Sequence, residues 1–277
     1  MPDISHTPTR SWLFTPAIRP ERFIKAVESA ADISIIDLED SVTPNDKAQA
    51  RKIAMQFLSS RPNSSLKIAL RINGMNTHAG IEDLHMLLEC RFFPDYIILP
   101  KTESAAHLQI VDSLIMMAGS DTRLIGIIES VVGLNAVESI ADATPRLCGL
   151  MFGAADMAAD IGATEPLALA RARIVAACAM KGLLAIDAPF FDIGDFSGLK
   201  EETLQALSFG FSAKSAIHPA QISVINAAFT PTTAEINHAR AVLTENAKGV
   251  GIVSGMMIDA AVARQARRLL ARAGIFS

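Results

Sequence analysis

Apolar runs of strand length recur along this chain, and six of them stop at an acid, an arginine or a histidine. Ile33 to Ile36 runs into Asp37, Leu66 to Leu70 into Arg71, and Leu124 to Ile128 into Glu129. Leu150 to Ala155 leads to Asp156, Leu183 to Ile186 to Asp187, and Ser215 to Ile217 to His218. Runs that are continuously apolar, with no alternation, suit strands covered on both faces, as in a parallel sheet. Charge at the C-terminal ends of such strands is where a (β/α)8 barrel enzyme builds its site.

Strands are expected at Trp12–Thr15, Ile33–Leu38, Leu66–Ile72, Tyr96–Leu99, Arg123–Ile128, Leu147–Phe152, Leu183–Ile186 and Ala213–Ile217. Helical patterns fall between them at Pro20–Ala31, Pro44–Ser59, His78–Cys90, Ser104–Ala118, Ser130–Ala143, Leu167–Lys181, Lys200–Phe209 and Pro219–Phe229. Pro20 and Pro44 sit where a first helical turn tolerates proline, and Thr43 or Asn45 stands near a cap. Eight alternations predict an α/β fold, a (β/α)8 TIM barrel over residues 1–230, in preference to an open doubly wound sheet. A C-terminal helical extension, residues 231–277, follows. Thr232 and Glu235 form a capping box opening a helix to about Ala247. Gly249, Gly251 and Gly255 then punctuate a mobile-looking loop. A stripe of Ile258, Val262, Ala266, Leu269 and Leu270 marks a last helix. The extension either packs on its own barrel or forms an arm on a neighbouring subunit.

Composition changes the picture little. The 277 residues are half apolar, enough for one large core. A net charge of −4 speaks against nucleic-acid binding, while a locally basic pocket for a phosphorylated small molecule remains open. No apolar stretch approaches the roughly 18 residues of a membrane span, and Met1 to Arg10 lacks the character of a signal peptide. Cys90, Cys148 and Cys178 lack metal-type spacing and read as reduced core thiols of a cytoplasmic protein.

Glu129 and Asp156 close consecutive strand runs, so one mouth would present both carboxylates. Two carboxylates with waters suit Mg²⁺; the plainer alternative is a pair of helix-capping acids. Arg71 offers a planar fork for a carboxylate or an enolate oxygen, or else makes a structural ion pair with Asp37 or Glu39. Asp37, Glu39 and Asp40 crowd one strand end and read as supports for Arg71 and metal-bound water. Arg19, Arg22 and Lys25 could attract phosphate near a helix start, or form an ordinary solvated face. His218-Pro219 could be site or plain loop. Lys101 could be a Schiff-base lysine or a helix-start ion pair beside Glu103. No phosphate loop, dinucleotide fingerprint or Gly-x-Ser-x-Gly elbow is present.

These segments together resemble the citrate lyase β-subunit-like group of the HpcH/HpaI aldolase superfamily, which includes malyl-CoA and citramalyl-CoA lyases. The resemblance runs through Arg10-Ser11-Trp12-Leu13-Phe14-Thr15-Pro16, Arg19-Pro20-Glu21-Arg22-Phe23, Asp37-Leu38-Glu39-Asp40-Ser41-Val42 and Leu70-Arg71-Ile72-Asn73. It continues in Leu99-Pro100-Lys101, Glu129-Ser130, Phe152-Gly153-Ala154-Ala155-Asp156, Ala216-Ile217-His218-Pro219 and Met257-Ile258-Asp259. It implies a Mg²⁺-dependent barrel, a homo-oligomer (trimer or hexamer), with Glu129 and Asp156 as metal ligands and Arg71 on the substrate and the thioester enolate. Phe14, Arg19, Lys25, Ala155, Asp156, His218 and Pro219 would hold the acyl-CoA. Asp259 would enter the active site from a neighbouring subunit, which favours the arm. Family members often follow that aspartate with a proline-containing stretch, where this chain has Ala260-Ala261-Val262. Superfamily aldolases acting on free pyruvate-type substrates resemble Asp-x-Glu-His; here Asp37-Leu38-Glu39-Asp40 lacks the histidine, which points to the CoA-thioester branch. The expected reaction is cleavage of a 3-hydroxyacyl-CoA, preferably (S)-citramalyl-CoA to acetyl-CoA and pyruvate. Malyl-CoA cleavage or hydrolysis, a citrate lyase β subunit, and a non-catalytic barrel are the rivals.

Overall fold

The computed structural model describes residues 9–61, 66–163, 167–249 and 251–275. The expectation for Met1 to Pro8 and that for the side chain of Cys90 lie outside the described residues. Eight parallel strands close into a barrel in sequence order: β1 (Ser11–Pro16), β2 (Ile33–Asp37), β3 (Lys67–Arg71), β4 (Tyr96–Leu99), β5 (Arg123–Ile128), β6 (Leu147–Phe152), β7 (Leu184–Asp187) and β8 (Ala213–Ala216). The barrel's helices are α1 (Glu21–Glu28), α2 (Lys47–Ser59), α3 (His78–Cys90), α4 (Ala105–Met117), α5 (Val131–Asn135), α6 (Val137–Ala141), α7 (Ala154–Ile161), α8 (Ala168–Lys181), α9 (Phe196–Phe209) and α10 (Ile222–Phe229). The expected (β/α)8 TIM barrel is the fold.

Both faces of the strands are buried, as their continuous apolar runs required. Trp12, Ile33, Ile35, Ala69, Ile98, Ile125, Ile127, Cys148, Met151 and Ile186 pack together as one cluster. Along each strand they occupy alternate positions, which share one face of the sheet, except on β6, where a register shift opposite Leu124 and Ile125 brings Cys148 and Met151, three residues apart, to the same face; together they fill the barrel interior. The intervening positions, among them Ile36, Ile68, Leu70, Ile97 and Leu150, pack against helical residues such as Ala54, Leu87 and Ile174 in the outer layer. Cys148 and Cys178 are free and buried, and burial pushes both thiols up to about 12.

The structure departs from the expected elements where the hydrophobic pattern is silent. α7 is not expected, because only Met157 of its residues is buried and no apolar stripe announces it. The expected helix over Ser130–Ala143 is two short ones, broken at Ala136; two helices running on in one direction keep nearly the same apolar spacing as one. α9 starts earlier than Lys200, at Phe196, because the Asp195 side chain accepts a hydrogen bond from Gly198 N (2.9 Å) and caps it.

The C-terminal extension is α11 (Thr233–Asn246), a hairpin of β9 (Gly251–Val253) and β10 (Met256–Ile258), and α12 (Ala260–Arg272). The Thr232–Glu235 capping box is present. The glycine-rich loop is a tight hairpin, because Ser254 and Gly255 both take positive φ (50° and 80°), the geometry two-residue hairpin turns demand. Ala239, Val242, Ile258, Ala266 and Leu270 form a small core of their own, separate from the barrel's clusters. Among the described residues no helix is long and apolar enough to cross a membrane.

Candidate active site

The alternation that fills the barrel interior also builds its rim. Two residues beyond Trp12, Ile35, Ala69, Ile127 and Met151 stand Phe14, Asp37, Arg71, Glu129 and Gly153, on the same inward face. The C-terminal mouth therefore collects an aromatic ring, two acids and an arginine from four different strands.

Arg71 is the centre of this group. Its Nε and Nη2 donate to the two oxygens of Asp37 (2.6 and 2.8 Å), a bidentate pair between register partners. Its guanidinium lies over the Phe14 ring, 4.7 Å from the centroid, a contact worth about 0.5–2 kcal/mol. Asp37 also accepts from the backbone N–H groups of Glu39 (2.9 Å) and Ser41 (3.2 Å). Burial pushes the Asp37 carboxyl up, but the charge and hydrogen bonds of Arg71 outweigh it and hold the group below the ordinary carboxylate range. Arg71 Nη1 is 2.8 Å from Glu39 Oε2 and 3.6 Å from Asp40 Oδ2. The Glu39 contact is an ion pair without hydrogen-bond alignment, so this buried oxygen has no hydrogen bond.

Glu129 is buried, and its Oε1 accepts from the backbone N–H of Lys101 (2.6 Å). Burial raises its carboxyl to about 7, with the nearby charges of Glu39 and Asp156 pushing the same way. Residue 153 has to be glycine, since a Cβ there would collide with the Glu129 side chain. Asp156 lies in the first turn of α7, and is exposed, with no hydrogen bond or ion pair among the described residues. Neither acid caps a helix: α5 is capped by Ser130 and α7 follows Gly153. Among the described residues no three His, Cys, Asp or Glu side chains converge as a ready-made metal cage.

Other expected positions surround this mouth or lie away from it. Arg19 and Lys25, after β1, are exposed. His218 Nδ1 accepts from Ala220 N (3.2 Å), so the ring caps the short 3-10 turn that Pro219 opens after β8. Ala155 is exposed beside Asp156. Asp259 caps α12, accepting from Ala261 N (2.8 Å) and Val262 N (2.9 Å), and within one chain it contacts none of the rim residues.

Two expectations are corrected. Asp187 ends β7 but occupies an outward position, one residue past the inward Ile186. It meets Lys214 Nζ (2.7 Å) and Arg171 Nε (3.1 Å) between strand and helices, and is wholly buried. Lys101 is an ion-paired lysine: its Nζ donates to Glu39 Oε1 (2.9 Å), and that bond raises its pKa. Its partner is therefore Glu39, 62 residues away, and Glu103 instead accepts from Ser130 Oγ (2.8 Å).

Sequence reasoning missed a supporting layer. Lys47 Nζ donates to the carbonyls of Leu38 (2.8 Å) and Glu39 (2.7 Å). Asn73 Nδ2 donates to Leu38 O (3.0 Å) and to buried Asp83 Oδ2 (2.7 Å), which Arg51 also contacts through its other oxygen. The segment after β2 is thus fixed from behind. A polar Asn directly after a buried strand was the one available signal.

A closed barrel whose inner rim carries a clamped arginine and a buried carboxyl near neutrality, with a free carboxylate in the helix turn that follows β6, has the layout of an α/β-barrel enzyme. The chain belongs to the HpcH/HpaI aldolase/citrate lyase family, which it matches over residues 10–219. It is 35% identical over 305 residues to an L-malyl-CoA/beta-methylmalyl-CoA lyase of Cereibacter sphaeroides, covering 98% of this chain and 96% of that protein. A citrate lyase subunit beta-like protein of Mycobacterium tuberculosis is 35% identical over 275 residues, 95% of each chain. Among solved structures, RipC from Yersinia pestis is 66% identical, with a TM-score of 0.74 over 84% of this chain and all of that one. CitE from M. tuberculosis, in complex with magnesium, acetoacetate and coenzyme A, is 32% identical, with a TM-score of 0.82 over 98% of this chain and all of that one.

Proposed function

We propose that this protein is a Mg²⁺-dependent carbon–carbon lyase that cleaves a 3-hydroxyacyl-CoA bearing a free carboxylate, with (S)-citramalyl-CoA as its preferred substrate. The products are acetyl-CoA and pyruvate. The observation that supports this reading is the inward rim that bears Arg71 and Glu129, with the charge of Asp156, in the first turn of α7, felt at Glu129. The relatives add weight, being named as a malyl-CoA lyase and a citrate lyase β-like protein, and one neighbour holds magnesium with coenzyme A.

The donor set fits a hard divalent cation. Glu129 is a buried carboxyl raised by burial and neighbouring negative charge, Asp156 is uncommitted, and both offer only oxygen. These two residues would hold the ion, which when bound supplies Lewis acidity towards the substrate's oxygens. Asp37 and Phe14 fix the plane of Arg71, so its charge is already oriented when an enolate oxygen develops on the thioester side. Asp259, brought by the arm of a second copy in a homo-oligomer, protonates the enolate carbon in cleavage and removes that proton in condensation. Arg19 and Lys25 offer cations to the phosphates of coenzyme A, and the Ala155–Asp156 and His218–Pro219 segments line its acyl end.

Incubating the protein and Mg²⁺ with citramalyl-, malyl- and citryl-CoA, then identifying products, tests the proposal. Acetyl-CoA with pyruvate, fastest from (S)-citramalyl-CoA, is expected. Faster malyl-CoA cleavage would favour the second reading, which the C. sphaeroides relative supports, and free CoA without acetyl-CoA would mean a hydrolase. Mixing Arg71→Ala and Asp259→Asn chains should restore turnover if Asp259 acts across subunits; no recovery in hybrid oligomers would place it in its own chain's site.

A further inference from the structure

The Arg71 clamp is backed by a single peptide group. The N–H between Leu38 and Glu39 donates to Asp37 Oδ1 (2.9 Å), the same oxygen that accepts from Arg71 Nε (2.6 Å). The carbonyl of that peptide, Leu38 O, accepts from Lys47 Nζ (2.8 Å) and from Asn73 Nδ2 (3.0 Å). A trans peptide is planar, with its N–H and C=O pointing in opposite directions, so donors that fix the carbonyl also aim the N–H. Lys47, the first residue of α2, also donates to Glu39 O (2.7 Å), and so holds the carbonyls on both sides of residue 39. Its charge is spent on two backbone carbonyls, which polarises the peptide and strengthens its N–H as a donor. The N–H groups of Glu39 and Ser41, supplied by this same turn, each hold one oxygen of Asp37. Asn73 is anchored in its turn by wholly buried Asp83, whose Oδ2 accepts from its backbone N–H (2.8 Å) and its Nδ2 (2.7 Å).

We propose that Lys47 is a positioning residue for Arg71: by gripping the carbonyls of Leu38 and Glu39 it aims the N–H groups of the turn at Asp37, and so sets the plane of the guanidinium. The proposal rests on the reading of the rim as the acyl-CoA site, where that plane meets the enolate oxygen. Without the ammonium, Leu38 O keeps one donor of two and Glu39 O loses its hold. The peptide is then free to turn, and Asp37 loses a donor that fixed it beneath Arg71.

The test places Lys47→Met in two backgrounds of the full-length protein, wild type and Arg71→Lys, with assays well below each melting temperature. In the wild-type background kcat and kcat/KM should fall together, roughly tenfold, the scale of one charge-assisted hydrogen bond lost from the support of a transition-state contact. In Arg71→Lys, where no guanidinium plane is left to orient, the same change should cost about twofold or less. A crystal structure of Lys47→Met should show Glu39 N drawn away from Asp37 Oδ1 and the guanidinium tilted off the Phe14 ring. An equal loss in both backgrounds, as a merely structural lysine would give, unchanged turnover in the first, or a Leu38–Glu39 peptide that has not moved would each overturn the proposal. Should Lys47→Met not fold, Lys47→Gln, shorter and uncharged, takes its place in the same comparison. If the wild type cleaves no acyl-CoA, the lyase reading fails, while the crystal structure still decides whether Lys47 sets the plane of Arg71.

Discussion

Two ion clusters are built into this barrel from the same kinds of residue, and they do opposite things. At the ends of β2 and β3, Asp37 and Glu39 meet Arg71 on the inward face, with Lys101 alongside. At β7 and β8, Asp187 and Glu202 meet Lys214 and Arg171 on the outward face. The outward cluster is matched: two acids, two bases, a Lys214 whose remaining hydrogen bond goes to Ala188 O (2.6 Å), and no side-chain exposure at Lys214 or Asp187. The inward cluster is not closed. Glu39 keeps a buried oxygen without a hydrogen bond, Glu129 is raised to about 7, and Asp156 stands without a partner among the described residues. A satisfied ion network ties strands to helices; an unsatisfied one at a barrel mouth is left with affinity for something that arrives from outside.

Substitutions should separate the two clusters cleanly. The largest effect on turnover is expected from Arg71→Lys, which keeps the charge but loses the fork: kcat should fall about a hundredfold or more, by analogy with removing one oriented transition-state donor. Lysine is the sharper probe than alanine, because alanine would also strand the buried Asp37. Near-normal kcat in this variant would remove Arg71 from the chemistry. In the outward cluster, Lys214→Met should cost about 3–5 kcal/mol of stability, the usual penalty for breaking a buried pair. Well below its melting temperature the variant's turnover should stay within a few-fold of wild type. Urea unfolding with parallel assays checks both halves, and a kinetic collapse without destabilisation would erase the distinction between the clusters.

Acid should read the Asp37–Arg71 pair more gently. The carboxyl of Asp37 is depressed in the folded protein, so the stability it contributes is present above the unfolded value of about 3.9 and is lost as pH falls through the lower folded value. The stability gap between wild type and Asp37→Asn should therefore be widest near neutrality and shrink below pH about 4. A gap independent of pH would mean that the pair's charge contributes nothing. The smallest effect belongs to Asp40→Asn. Asp40 is 58% exposed and 3.6 Å from Arg71, so turnover should change by about twofold or less, as expected of exposed ion pairs. A tenfold change would place Asp40 inside the machinery.

Much of the barrel and part of its rim are legible in the hydrophobic pattern alone. All eight strands lie where the apolar runs place them, within a residue or two at each end, because a buried parallel strand needs an uninterrupted apolar run. Arg71 and Glu129 stand out because charge is conspicuous at the end of such a run. The same continuity hides the outward direction of Asp187. A strand buried on both faces gives no alternating signal, so nothing in its composition says which way its last residue points. The bond between Glu39 and Lys101 is invisible for another reason: it depends on strand adjacency across 62 residues and on one left-handed backbone angle.

The amino-acid order by itself determined the eight barrel strands, their succession along the chain, the helices with strong stripes or caps, and the list of charges available at the strand ends. These are local properties, set by periodicity and by the cost of burying a polar group within a few residues of the chain. Only the closed barrel decided which charges face inward and which partners quench one another. Those outcomes depend on distances between residues far apart in the chain, which no local pattern encodes.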